Sequence, residues 1–334
     1  MINMVTKVLP HTIYVCLLLS AVLQSLTYGF IATATLVAVL LLVKVRQPES
    51  TSNAVEEILP TNKITVIAHR GCGHDAPENT LAAFREAKNN GADGVEFDVD
   101  FTRDGIAIVI HDHTANRTTN GSGKISRMTL AEVRKLNASA KHVHKDQFPN
   151  EKIPTLEEAV VLCLELQLKM FIDIKDSSNI QKTIEILRFL FASHPQMYTN
   201  AVVCSFHPQV IYAVKQFNPK IVTGLTHRPW VLSRKVDGTE FEGPWHKRLL
   251  YPILDVLLEW SHTAWLWYFC GNNVHLMFHG IASSRNIAFY RDRGIAVIVW
   301  TANDAHQQEY LRHTLNVSYM TDTMHPAGCR PQTN

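Results

Sequence analysis

The chain changes character twice along its length. From Thr12 to Val43 no residue carries a charge and apolar side chains dominate. A helix over that stretch would run roughly 48 Å at 1.5 Å per residue, against about 30 Å of bilayer hydrocarbon. That is too long for a signal-peptide core. It predicts an N-terminal transmembrane anchor within residues 1–46, either one tilted span or a helical hairpin broken near Gln24-Ser25 and Tyr28-Gly29. Residues 47–62 are polar, with Pro48 and Pro60 among Ser, Thr and Glu, and read as a linker. From residue 63 onward, short β-branched runs alternate with stretches of helical periodicity. Strands are expected at Ile64–Ala68, Gly94–Val99, Ile106–Ile110, Lys169–Lys175, Ala201–Ser205, Ile221–Leu225, His275–His279, Ile295–Trp300 and Val317–Thr321. Helical patterns cover Thr80–Asn89, Leu156–Leu166, Ile180–Ser193, Ser284–Arg293 and Asp304–Leu315. This alternation over residues 63–326 predicts an α/β fold of the TIM (β/α)₈ barrel type.

The strand list holds one more member than an eight-stranded barrel needs. Asp104-Gly105 supplies the explanation, since that pair is a hairpin signal between two short apolar runs. If those two residues form the turn, Arg103 faces Ile106 and Asp98 lies opposite His111 on one face of the ribbon. Residues 228–272 read as an elaborated connection within the barrel. Leu249–Cys270 is rich in Leu, Trp and Tyr, but Asp255, Glu259 and His262 argue against a membrane span there. A span would also divide the strands of one closed barrel between the two sides of a bilayer. Contact of this stretch with the bilayer surface is the secondary reading.

Composition excludes several classes. With 32 basic and 30 acidic side chains, the formal charge of +2 generates no field suited to nucleic acid. The six Cys, at 16, 72, 163, 204, 270 and 329, show no CxxC spacing, which speaks against a disulfide framework or a structural zinc site.

Chemistry concentrates at the strand ends. The first run ends in His69-Arg70-Gly71. In Gly94-Val95-Glu96-Phe97-Asp98-Val99 the two-residue period puts Glu96 and Asp98 on one face. The third run ends in His111-Asp112, and Asp173 shares a face with Lys175 in the fourth. Carboxylates facing a barrel interior are costly without ionic partners or a metal. Glu96, Asp98 and Asp173 form an oxygen-rich set that suits Mg²⁺ or Ca²⁺ better than zinc. Arg70 and Lys175 are placed to grip a phosphate beside that ion, and His69 and His111 are candidates for proton transfer. Together these groups describe phosphodiester cleavage. Glu78 and Asn79 read as capping residues for the helix that starts at Thr80. Asp112 is divided between orienting a neighbour and binding a loop amide, and Asp100 reads as solvated.

The runs Ala68-His69-Arg70-Gly71, Ala76-Pro77-Glu78-Asn79-Thr80, Glu96-Phe97-Asp98, Thr102-Arg103-Asp104-Gly105 and His111-Asp112 resemble the glycerophosphodiester phosphodiesterases. Asp173-Ile174-Lys175, Trp300-Thr301-Ala302-Asn303 and Thr321-Asp322 continue the likeness to the end of the barrel. The resemblance implies a barrel of the phospholipase C-like phosphodiesterase type and a divalent cation, usually Mg²⁺. It implies Glu96, Asp98 and Asp173 as metal ligands, His69 and His111 as the acid/base pair, and Arg70 and Lys175 as phosphate contacts. It also tips Trp300 toward the substrate. The family often carries Glu at position 173, so the shorter Asp here asks for a closer strand or a bridging water.

The hydrophobic N-terminus, His74-Asp75 and Thr226-His227-Arg228-Pro229-Trp230 resemble the membrane-interacting glycoprotein branch of that family. That likeness implies glycerophosphoinositol as substrate, with glycerophospho-N-acylethanolamines and lysophospholipids as further candidates. Two rival functions are a lysophospholipase D acting mainly on lipid and a membrane scaffold that uses the barrel to bind signalling or membrane proteins. Chemically competent residues at all seven matching strand-end positions weigh against a scaffold alone. For localisation, Lys7, Lys44 and Arg46 favour a cytoplasmic barrel. The sequons at Asn116, Asn120, Asn137 and Asn316 favour a lumenal or extracellular one, at the plasma membrane or an endomembrane, and the lumenal side is the expectation.

Overall fold

Nine strands carry the fold: β1 (Val66–Ala68), β2 (Gly94–Phe101), β3 (Ala107–Val109), β4 (Lys169–Ile174), β5 (Ala201–Ser205), β6 (Val222–His227), β7 (Val274–Phe278), β8 (Ala296–Trp300) and β9 (Ser318–Thr321). The structure, a computed structural model, describes residues 13–43, 49–235, 238–241 and 243–325. Lys7, Lys44 and Arg46 lie outside them. All strands except β3 pair in parallel, and β1 bonds to both β2 and β9, so eight strands close into a barrel. The odd strand is β3, which returns antiparallel along the end of β2. The hairpin expectation therefore holds in kind.

Its register does not. Val99 faces Val109 and Asp100 faces Ile108, one residue away from the predicted pairing. The turn holds three residues rather than two: the Thr102 amide donates to the Ile106 carbonyl, and Gly105 adopts φ +88°. A three-residue hairpin with Gly at the left-handed position is a favoured solution. Asp98 thus receives the Ile110 amide on its carbonyl, and His111 lies just beyond the ladder in a bend.

Alternation along the strands sorts side chains between two cores. Val95, Phe97, Val99, Met170 and Ile172 point outward and pack with the helices Leu81–Asn89, Leu156–Glu165 and Ile180–Ser193. Phe171, Val202, Val222, Leu276, Ile298 and Met320 fill the barrel interior. Where a linker is expected, Glu49–Ile58 is a helix. Ala54, Ile58 and Leu59 are buried in the interior cluster, and the Thr51 hydroxyl donates to the Pro219 carbonyl. The polar composition conceals this because three well-spaced apolar residues suffice for a short buried stripe. A separate small core of Ile108, Ile110, Ala115, Ile125, Val133, Ala138 and Ile153 supports the long β3–β4 connection.

The chain divides into two compact units, one drawn from Gln47–Arg228 with Asn272–Asn334 and the other from Met1–Arg46 with Pro229–Gly271. In the second, the charge-free run forms helices at 13–22 and Leu26–Val43, broken at a turn where Gln24 has φ +51°. Among the described residues no helix is long and apolar enough to cross a membrane. Gly29 lies against Ser20, so close that a Cβ there would overlap the Ser20 backbone. Ser20 and Thr33 are buried, with hydroxyls on the carbonyls four residues earlier, while Leu17, Leu18, Phe30 and Ile31 are exposed. The insertion contributes the helix Trp245–Ser261, whose buried Asp255 accepts the amides of Leu232 and Ser233 and the Ser233 hydroxyl.

Candidate active site

The polar groups gather at the C-terminal ends of the barrel strands, where TIM-barrel sites are built. Asp98 and Asp173 are direct cross-strand partners on β2 and β4, and Glu96 is two residues earlier on the same face. All three are buried, and one carboxylate oxygen from each lies within 4.8 Å of the others. Two unit charges 4 Å apart at an effective dielectric of 20 interact by about 4 kcal/mol, so this grouping needs compensation. Lys175 supplies part, at 2.6 Å from Asp173 and 2.8 Å from Asp98, and Arg70 lies 3.4 Å from Asp98.

Charge follows that geometry. Burial raises the Glu96 carboxyl and the neighbouring Asp98 charge adds to it, pushing it up to about 7. Burial acts the same way on Asp98, but Lys175, Arg70, His111 and His69 outweigh it and hold that group far below the usual carboxylate range. Burial opposes the charge of Lys175, yet Asp173, Asp98 and Glu96 keep its ammonium well above its ordinary value.

A local strain positions Arg70. After β1 the chain turns through Arg70, Gly71 and Cys72, all with positive φ. Gly71 is required there, because a Cβ would come within 2.8 Å of Ala83 and 2.9 Å of Phe84. The turn aims the Arg70 amide at Glu96 Oε2, 3.0 Å away. Asn79, also left-handed and buried, donates to Asp98 Oδ2 at 2.8 Å and accepts the Asp98 amide. Capping of the next helix falls to Thr80, whose hydroxyl accepts the Ala83 amide. The capping role expected of Glu78 and Asn79 is therefore corrected: both brace the site.

Each imidazole has a carboxylate on Nδ1. His69 Nδ1 donates to Asp322 at 2.5 Å, with Nε2 3.8 Å from Glu96. Asp322 is fixed in turn by Asn303, whose amide group donates to it at 2.6 Å. Burial would lower the His69 pKa, but Glu96 and Asp322 overcome it and raise the value. His111 Nδ1 donates to Asp112 at 2.7 Å, and Arg117 grips Asp112 from the other side. Asp112 is accordingly an orienting group. Such carboxylates fix the tautomer that leaves Nε2 facing the reaction.

The structure thus brings together Glu96, Asp98, Asp173, Arg70, Lys175 and His69, and His111 lies close enough to act on the Asp98 charge. Trp300 ends β8, at the same end of the barrel. It is buried against Phe206 and Phe278, its indole N–H donates to the Leu276 carbonyl, and Phe206 also lies against Lys175. Asp100, expected in solvent, is buried and accepts the Phe101 amide and His113 Nδ1. Sequence reasoning missed Arg117, Asp322 and Asn303 as site residues. The last two sit in the quoted strand-end motifs, and that placement was the available signal.

A metal fits the donor set. Asp173 Oδ1 is buried and has no hydrogen-bond donor among the described residues. Glu96, Asp98 and Asp173 converge within 4.8 Å of one another, with Lys175 and Arg70 as the cations against them, an excess of carboxylate over positive charge at the triad. A hard divalent cation would neutralise that excess.

Comparison with known proteins agrees with the geometry. The model of the glycerophosphoryl diester phosphodiesterase family matches residues 69–325. Human glycerophosphodiester phosphodiesterase 1 is 43% identical over 285 residues, covering 85% of each chain, and its mouse counterpart is 42% identical over 278 residues, covering 83% of each. Among solved structures, a phosphodiesterase of Oleispira antarctica in complex with sn-glycerol-3-phosphate superposes with a TM-score of 0.61 at 24% identity, covering 77% of this chain and 92% of that one. Glycerophosphodiester phosphodiesterase from Agrobacterium tumefaciens gives 0.59 at 21%, covering 78% and 97%. At those identities the structures speak for the barrel alone, whereas the family match and the curated relatives speak for the chemistry. The chain belongs to the glycerophosphoryl diester phosphodiesterase family and is an enzyme of that activity.

Proposed function

We propose that this enzyme is membrane-attached and divalent-cation-dependent, and that it splits glycerophosphodiesters into glycerol 3-phosphate and a free alcohol by intramolecular attack. The observation that carries the reading is the pair of carboxylate-braced imidazoles, His69–Asp322 and His111–Asp112, at a buried acidic triad flanked by Arg70 and Lys175. A bound Mg²⁺, or Ca²⁺ as second candidate, would be held by Glu96, Asp98 and Asp173 and would neutralise charge on the phosphodiester oxygens. Arg70 and Lys175 orient the phosphate. His69 Nε2 takes the proton of the glycerol 2-hydroxyl, whose oxygen attacks phosphorus. His111 Nε2 gives a proton to the departing alkoxide. Water then opens the cyclic phosphate. No enzyme nucleophile is needed, because the adjacent hydroxyl already provides proximity.

A glycerophosphodiester with its 2-hydroxyl replaced by hydrogen tests the proposal. It should bind and resist cleavage; release of alcohol at the normal rate would mean that water attacks directly. Glycerophosphoinositol is the leading substrate, with glycerophospho-N-acylethanolamines next. The lysophospholipase D alternative draws support from the exposed Trp245, Leu249, Leu250 and Ile253 on the insertion helix. Rates on glycerophosphoinositol and on a lysophospholipid in detergent separate the two. Membrane attachment is supported by the N-terminal hairpin, with small Ser20, Gly29 and Thr33 in its seam and large apolar side chains outside. The four sequons support a lumenal or extracellular barrel.

A further inference from the structure

The two imidazoles are braced by different means. Asp322 behind His69 is held by the neutral side-chain amide of Asn303, which donates to its carboxylate and accepts its backbone N–H. Asp112 behind His111 is held by an arginine that also grips a second acid. Arg117 Nε donates to Asp112 Oδ2 at 2.8 Å and Nη2 to Asp112 Oδ1 at 3.1 Å. The same guanidinium donates to Glu78 from Nη1 at 2.7 Å and from Nη2 at 2.8 Å. Glu78 in turn accepts from Arg70 Nη1 at 3.2 Å. An unbroken chain of charge-assisted bonds, Arg70–Glu78–Arg117–Asp112–His111, therefore joins the phosphate grip to the proton donor.

The two ends of this chain come from different loops, one after β1 and one after β3. Arg117 links them through the carboxylates of Glu78 and Asp112. A lysine could reach one of the two carboxylates as a point charge but could not fork to both. Without the guanidinium, Asp112, adjacent in sequence to His111 and partly exposed, is free to turn to water. His111 then loses the acceptor that fixes its tautomer, and Glu78 competes more strongly for Arg70.

We infer that Arg117 is a positioning residue that locks His111 for proton delivery to the leaving alcohol and ties that lock to the phosphate grip of Arg70. This role rests on His111 being the acid in the reading above. The test uses the full-length enzyme and two glycerophosphodiesters, one with an aliphatic leaving alcohol and one releasing nitrophenolate, which departs without a proton. His111→Ala tests the reading itself: turnover should fall on the aliphatic diester and be largely spared on the nitrophenyl diester. Arg117→Ala should show the same contrast, with kcat lowered about 10²-fold on the aliphatic diester. The double variant should be no slower than His111→Ala, because both changes remove one function.

Arg117→Lys should recover only part of the loss, and it carries the same comparison if Arg117→Ala does not fold. Equal losses on the two substrates, or additive losses in the double variant, would overturn the role of Arg117 while leaving that of His111 intact. A His111→Ala enzyme with no leaving-group dependence would remove the reading and the inference together.

Discussion

Asp322 and Glu96 show how single residues set the chemistry. Asp322 is not one of the three acids of the triad, yet it decides which nitrogen of His69 is free. Replacing it by Asn keeps the shape but allows the amide to donate where an acceptor is needed. Asp322→Asn should lower kcat about 10²-fold or more with little change in KM, measured as steady-state release of glycerol 3-phosphate. An unchanged kcat would detach the carboxylate from the mechanism.

Glu96 carries the pH dependence. Its carboxyl is pushed up to about 7 by burial and by Asp98. In metal-free protein below about pH 7 it holds a proton that a cation must displace, so apparent metal affinity should rise from pH 6 to pH 8, as titration calorimetry would read. The sign for stability runs the other way. A carboxyl whose folded pKa lies above its unfolded one stabilises the fold at low pH and loses that contribution as pH rises through about 7. Metal-free Glu96→Gln should therefore outlast the wild type in thermal melts above pH 7. Equal melting across that window would contradict the assignment.

Among the elements, the helix Glu49–Ile58 is the plainest departure from expectation. Its sequence is polar enough to pass for a linker, and only Ala54, Ile58 and the adjoining Leu59 reveal the buried stripe. Ile58 is 1% exposed inside the barrel cluster. Ile58→Ala should cost about 2–4 kcal/mol in denaturant unfolding, with turnover of the folded enzyme preserved. A loss below about 0.5 kcal/mol would return the segment to linker status.

The hairpin teaches a related lesson. Strand positions were legible because β-branched runs and a period of two are local properties. The register was not, because Asp104-Gly105 is compatible with both a two-residue and a three-residue turn, and the choice depends on which pairing seats β3. His111 nevertheless reaches the site, since the bend beyond Ile110 sets its position more than the ladder does.

Across the molecule, the barrel and the acidic triad were readable because strand-end carboxylates on a buried face have few explanations. The supports were harder to read. Arg117 looks in sequence like the middle of a glycosylation sequon, and its two acids lie 39 and 5 residues away. No local pattern encodes such a bridge. The N-terminal run was legible as apolar, with a break near Gln24-Ser25 as one of its two readings, and the chain does turn there with Gln24 at φ +51°. If that hairpin attaches the enzyme to lipid, full-length protein should remain with vesicles through an alkaline wash and be released by detergent. Release by the wash alone would point to peripheral binding.

The central claim is that Glu96, Asp98 and Asp173 hold one hard cation on which cleavage depends. The direct measurement is release of glycerol 3-phosphate by purified enzyme, first stripped with a chelator and then supplied with Mg²⁺ or Ca²⁺. The account predicts loss of activity on stripping and its return with metal in wild type but not in Asp173→Asn. Full activity in the stripped enzyme would contradict it.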